Sequence, residues 1–241
     1  DGAADAAGAD GKRVTLRIDV GNGKESGGDA SGGRQTWDNH IVFCIKLYSD
    51  GVLSRLLTKL HEGDSVRMRG PMGSRLHSRS SADGRWTHLG IVAGGSGLTP
   101  ALQLIWFQLA ARGASARTMR VSLLFLNKNE DDVFLGDELR DAAAASRGAL
   151  RVSFGLSAPR RPDEWTGYQG RVTKQMLSET MPAVPGSDVA AVDAFGDDDG
   201  PPAPTNDNTR IIVCGPGGMV ASTVRQLRSL GFDKKVIVAL E

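Results

Sequence analysis

Two glycine-rich runs carry the residues of this 241-residue chain that are suited to chemistry: Gly94-Gly95-Ser96-Gly97-Leu98-Thr99-Pro100 and Cys214-Gly215-Pro216-Gly217-Gly218-Met219. Glycines let backbone amides approach a ligand, and a helix starting directly after them offers unpaired N–H groups to a phosphate. Pro100 suits the first turn of such a helix, and Ser96 or Thr99 can cap it. The first run is not G-x-G-x-x-G, because proline stands where the third glycine would be. Taken singly, either run also fits a tight turn, and Cys214 fits an ordinary small core residue. Other chemistries find little support. The 4 histidines never fall at i, i+4, and the 2 cysteines, Cys44 and Cys214, lack zinc spacing. Asp197, Asp198 and Asp199 lack the ligand alternation of a calcium loop. No metal site is expected.

The elements that must position the two runs follow from hydrophobic periodicity. Residues 88–93, 121–127, 150–156, 210–214 and 234–240 read as continuous apolar strands. Residues 101–112, 136–145, 172–181 and 219–230 read as amphipathic helices between them. This rhythm predicts an α/β domain with a doubly wound five-stranded parallel sheet, order 3-2-1-4-5. The winding reverses between strands 1 and 4, where ligands bind in such folds. Those are the two strands that end in the glycine runs.

Upstream, residues 39–48 read as a strand, 53–60 as a short helix and Ser65–Arg69 as a returning strand closed by Gly70-Pro71 and Gly73, part of a small antiparallel sheet or barrel. Residues 1–11, 21–34 and 182–209 offer little apolar surface and read as mobile loops. The expected division is 1–84 for the partial barrel and 85–241 for the α/β domain, with a disordered insertion at 182–209. Lys+Arg 29 against Asp+Glu 28 leaves a net charge of +1, so no global field recruits nucleic acid. No apolar run is long enough for a transmembrane segment. The sparse cysteines point to an intracellular compartment.

The combination GGSGLTP, LLFLNKNEDDVFLGDEL and CGPGGM, in this order, resembles the pyridine-nucleotide half of the NADH–cytochrome b5 reductase family, within the ferredoxin–NADP reductase superfamily. IKLYSDGVLSRLL and GDSVRMRGPMG resemble the end of that family's FAD-binding barrel. The resemblance implies an antiparallel FAD-binding β-barrel, here in part, ahead of the parallel sheet. It implies an oxidoreductase passing hydride from NAD(P)H to FAD and then single electrons to a haem protein such as cytochrome b5. It places Ile45, Lys46 and Tyr48 beside the flavin, and Gly51, Val52, Leu53 and Ser54 at its pyrophosphate. Gly95, Ser96, Gly97 and Thr99 fall in the loop touching the nicotinamide nucleotide, with Thr99 near the isoalloxazine. Cys214, Gly215, Pro216 and Met219 match the loop that sets the nicotinamide against the flavin, the cysteine acting through packing. Thr99 and Cys214 are thus the catalytic candidates.

Two departures qualify the match. The family's R-x-Y-[ST] motif is absent before Ile45, with Lys12-Arg13-Val14-Thr15 a degenerate echo, so the barrel is expected to begin upstream of this chain. Ser157 stands where NADH-preferring members carry an acid, and Arg171 where they carry Phe. Loss of a carboxylate and gain of a guanidinium favour NADPH. Lys46, Arg67, Arg69 and Arg75 are candidates for docking an acidic haem protein. A monomer is expected, cytoplasmic or held on the cytosolic face of a membrane by a segment outside this chain. Two alternatives remain at this stage. A flavin-free dehydrogenase would need Tyr-x-x-x-Lys, and neither Tyr48 nor Tyr168 has Lys four residues on. A nucleotide-binding regulatory remnant would bind without electron transfer.

Overall fold

The computed structural model describes residues 13–19, 40–46, 51–61, 63–67, 86–111, 119–187 and 201–240. Two compact units divide the chain, Asp1–Met68 and Arg69–Glu241.

In the first unit, β1 (Arg13–Asp19) pairs antiparallel with β2 (His40–Lys46) in the register Val14↔Ile45 and Ile18↔Ile41. β1 was not foreseen, although Val14, Leu16 and Ile18 alternate with Arg13, Thr15, Arg17 and Asp19 at the period of a strand. The helix α1 is Val52–Leu57, shorter than the expected 53–60. Ser65, Val66 and Arg67, expected in a strand, lie outside any strand; the remainder of that segment, with Gly70, Pro71 and Gly73, lies outside the described residues.

In the second unit the elements run β3 (His88–Gly94), a 3-10 turn (Gly95–Gly97), α2 (Leu98–Ala111), β4 (Arg120–Asn127), a 3-10 turn (Glu130–Asp132), α3 (Gly136–Ala145), β5 (Leu150–Leu156), β6 (Tyr168–Gln169), α4 (Lys174–Thr180), β7 (Thr209–Cys214), α5 (Gly217–Ser229) and β8 (Ile237–Leu240). The sheet is six-stranded and parallel, in the order β6-β5-β4-β3-β7-β8. The predicted 3-2-1-4-5 order is therefore found, with β6 added at one edge. Two residues are too few for a periodic signal. Trp165 Nε1 donates to the Tyr168 carbonyl at 3.0 Å and steadies the approach to β6.

Alternation along each strand divides the core between the two faces of the sheet. Leu89, Ile91, Val121, Leu123 and Phe125 pack with Leu98, Leu104 and Ile105 of α2 and Leu139 of α3. Val92, Leu124, Leu126, Ile211 and Val213 pack with Met176 and Leu177 of α4 and Val220 and Leu227 of α5. Burying one such aliphatic side chain contributes about 1.5–3 kcal/mol. This two-sided burial explains why the strands read as unbroken apolar runs.

The ends of the 182–209 insertion are packed, contrary to the expectation of a mobile loop. Val184 joins the core beneath α4 and α5. The Asn208 carbonyl accepts from the Thr87 and His88 N–H groups at 2.9 and 3.0 Å, and His88 Nε2 lies 2.8 Å from the Pro202 carbonyl. Residues 188–200, including Asp197, Asp198 and Asp199, lie outside the described residues. The last strand also starts later than expected, because the Asp233 side chain takes the Lys235 N–H at 2.7 Å and holds 233–236 in a turn.

Candidate functional site

β3 and β7 lie side by side with Ala93 opposite Cys214, so both glycine runs leave the sheet together. They meet without room for side chains. A Cβ on Gly97 would fall on the Cys214 carbonyl and lie 2.8 Å from the Gly215 nitrogen. One on Gly94 would lie 2.6 Å from Met219 Sδ, and one on Gly215 3.0 Å from Gly94 Cα. Gly97 and Gly215 are required by close backbone approach, whereas Gly94 is covered by the Met219 and Pro216 side chains. Gly217 and Gly218, at the start of α5, differ: a Cβ there meets nothing within 4 Å.

Within the first run, Thr99 Oγ1 donates to the Ser96 carbonyl at 2.9 Å and braces the turn. Neither the 3-10 turn at Gly95–Gly97 nor the start of α5 has a side-chain cap. The Pro216 carbonyl accepts from Met219 and Val220 N–H at 2.8 and 3.0 Å, closing the first turn of α5. Open space beside uncapped helix starts is what a phosphorylated ligand needs. Cys214 is a free thiol, half-buried. Burial pushes its pKa up, opposed by a hydrogen bond from the Gly215 backbone, so at neutral pH it stays protonated and is a poor nucleophile. Gly95, Ser96, Gly97, Thr99, Cys214, Gly215, Pro216 and Met219 are thus gathered at one crevice.

Ser157 and Arg171 lie farther along the same end of the sheet, past β4. The Gly170 N–H donates to the Leu156 carbonyl at 2.8 Å, which sets the residues after β5 and β6 side by side, and both Ser157 and Arg171 are exposed. Next to them is a tie that sequence reasoning missed. Glu130 accepts from the Arg160 N–H (2.9 and 3.1 Å) and the Arg161 N–H (3.2 Å), while Asp131 pairs with the Arg160 guanidinium at 2.6 Å. Those N–H groups, Arg160 foremost, hold the Glu130 carboxyl below the usual carboxylate range. The acidic NEDD run was visible in the sequence, but its partners, thirty residues on, were not.

In the first unit, Ile45 and Lys46 stand in β2 opposite Val14 and Arg13. The Arg13-Val14-Thr15 echo therefore pairs with the strand that the resemblance sets beside the flavin. Gly51 precedes α1 and its carbonyl accepts from Arg55 N–H at 3.1 Å. Val52 and Leu53 are 87% and 66% exposed, and Ser54 lies within α1. Tyr48, Arg69 and Arg75 lie outside the described residues; Arg67 is exposed.

A doubly wound parallel sheet with two interlocked glycine turns at its switch point defines a nucleotide-binding α/β domain. Comparison with known proteins makes the class particular. Residues 91–225 match the family model "Oxidoreductase NAD-binding domain", and residues 32–77 match "Oxidoreductase FAD-binding domain". The chain belongs to the oxidoreductase NAD-binding domain family. It is 35% identical over 192 residues to NADH-cytochrome b5 reductase 1 of Emericella nidulans, covering 79% of this chain and 53% of the relative. With the protein of that name from Coccidioides immitis it shares 32% over 197 residues, covering 81% and 55%. The chain thus spans about half the length of the curated relatives it matches. Among solved structures, the CS-b5R domains of human Ncb5or in an NAD+ form share 25% identity and a TM-score of 0.60, covering 85% of this chain and 50% of that one. The cytochrome b5 reductase domain of Ulva prolifera nitrate reductase shares the fold, with 21% identity, a TM-score of 0.66, and 84% and 72% coverage. The resemblance carried by the sequence motifs is met by these relatives. Among the described residues no helix is long and apolar enough to cross a membrane.

Proposed function

We propose that this chain is part of a flavoprotein reductase that takes reducing equivalents from NAD(P)H through FAD to a haem protein of the cytochrome b5 kind. In this reading residues 1–84 serve the flavin and 85–241 the nicotinamide nucleotide. The interlocked glycine turns at the switch point carry the reading, since they leave backbone rather than side chains to meet a dinucleotide. The two family models and the relatives' names support it. When bound, the nicotinamide supplies a hydride and the flavin releases the pair as single electrons.

The chain's own contribution is positioning. Gly94, Gly97 and Gly215 fix the crevice wall, Thr99 braces its turn through Ser96, and the neutral Cys214 thiol packs in the loop that would set the nicotinamide in place. Gly95, Ser96, Pro216 and Met219 complete that wall. On the flavin side the reading assigns Ile45, Lys46, Tyr48, Gly51, Val52, Leu53 and Ser54, with Arg67 among the basic residues that meet an acidic partner. Orientation of this sort governs rate steeply, so a shift of about 1 Å costs on the order of 100-fold. The relatives carry NADH in their names, which does not support a preference for NADPH. We assign to exposed Ser157 and Arg171 an acceptance of the 2′-phosphate, as an addition to NADH use.

The visible spectrum of the purified chain with added FAD, before and after NADH or NADPH, tests the proposal. Flavin bands that bleach on reduction are expected. If the chain binds the nucleotide but retains no flavin, the same spectrum of the full-length gene product decides: colour restored there keeps the reductase reading, and colour still absent makes the protein a binding module and overturns it.

A further inference from the structure

Asn127 ends β4 on the face where Val121, Leu123 and Phe125 are core, so an apolar residue would continue the pattern. Asn127 is 8% exposed, and neither Oδ1 nor Nδ2 has a hydrogen-bond partner; Asn129 Oδ1, two residues on, is also enclosed without one. An enclosed, unpaired carboxamide destabilises a fold unless something else employs it. Its own loop cannot turn it to water. The Ser157 N–H bonds the Asn127 carbonyl at 2.9 Å, the Ala158 N–H bonds that of Lys128 at 2.8 Å, and Glu130 is tied to Arg160 and Arg161. On the opposite flank the pairing Gly94↔Leu126 sets Asn127 level with Gly95, where the Gly95–Gly97 turn lies against β4. That turn has no side-chain cap, and Gly95 sits at φ +52 with nothing within 4 Å of a Cβ. Gly95 is thus the part of that turn that can yield, while Gly97 stays against the Cys214 carbonyl.

We propose that Asn127 is a dinucleotide-binding residue, which hydrogen-bonds the ADP half of the coenzyme when the chain at Gly95 shifts to admit it. This rests on the nicotinamide-dinucleotide reading above. β4 lies one strand, about 4.8 Å, beyond β3 on the side away from β7. The amide therefore falls outside the crevice that takes the nicotinamide and under the ribose and pyrophosphate. Those groups present hydroxyl donors and oxygen acceptors together, which match a carboxamide's own pair of functions.

The test is calorimetric titration of the full chain with ADP-ribose and with nicotinamide mononucleotide, wild type against Asn127→Leu, with melting of the ligand-free proteins. Leucine is close in size and lacks polar atoms. The expected result is a Kd for ADP-ribose raised 10-fold or more, an unchanged response to the mononucleotide, and a melting midpoint equal to or above wild type. Equal ADP-ribose affinity in both proteins overturns the inference alone. A wild type that binds no ADP-ribose overturns it together with the dinucleotide reading. If Asn127→Leu does not fold, the wild-type Asn127 side-chain amide resonances decide. A shift on adding ADP-ribose supports the assignment, and resonances that stay in place overturn it.

Discussion

The crevice between β3 and β7 and the outer end of the sheet beyond β4 hold their loops by different physics. At the crevice, backbone touches backbone: Gly97 against the Cys214 carbonyl, Gly215 against Gly94. No charge is involved, so acid or salt leaves it alone. At the outer end the loops after β4 and β5 are joined by Glu130, Asp131 and Arg160, all reachable by water and ions. Exposed ion pairs of this kind contribute modestly and are screened by salt. The reacting end of a dinucleotide needs fixed geometry, whereas its adenosine end needs only capture. On the function proposed above, steric locking serves the first and adjustable charge the second.

That contrast can be broken most forcefully at Gly97. Gly97→Ala puts a methyl group onto main-chain atoms and should lower stability by about 1–3 kcal/mol or more, seen as a reduced urea midpoint, with loss of flavin reduction by NADH. Gly218→Ala, in the same run family but with open space, should do the reverse. Relief of glycine's entropy inside α5 is expected to raise stability by about 0.5–1 kcal/mol. An equal loss from both substitutions would show that close approach is not what distinguishes them.

At the outer end, Arg171→Phe should reduce kcat/KM for NADPH about 10-fold, the scale of one lost charge-assisted hydrogen bond, and leave NADH nearly untouched. Equal loss for both coenzymes would remove Arg171 from 2′-phosphate binding. The smallest effect is expected from Glu130→Gln. Because folding lowers the Glu130 pKa, its tie contributes stability above the unfolded value of about 4.3 and loses it as pH falls through the folded value. The gap in melting midpoint between wild type and Glu130→Gln should therefore be largest near neutrality and close as pH drops below 4. A gap independent of pH would mean that the carboxylate charge is irrelevant there.

Much of the second unit was legible because two-sided burial writes itself as apolar runs. The strand order, both sheet faces and the meeting of the two glycine runs all followed from it. β6 was not legible, since two residues at an edge carry no period, and its place is set by Trp165 and Gly167. The Glu130 tie was hidden because hydrogen bonds to backbone N–H leave no trace in the identity of the partner residue. Asn127 was hidden for a related reason: a polar residue ending a strand looks like a loop residue until its burial is known. β1 was legible and missed, its alternation overshadowed by the glycine-rich stretch that follows.

The insertion leaves and rejoins the domain at the end of the sheet opposite the glycine turns. Pro182 lies against Gly90 near the start of β3, and residues 202–208 fasten to Thr87 and His88 at that same start. For a protein engineer, the fastenings at Pro182 and at 202–208 mark the pole of the domain that stands farthest along β3 from the glycine turns. A substitution at those fastenings and one in the crevice therefore act at opposite ends of β3, and each can be altered without touching the other.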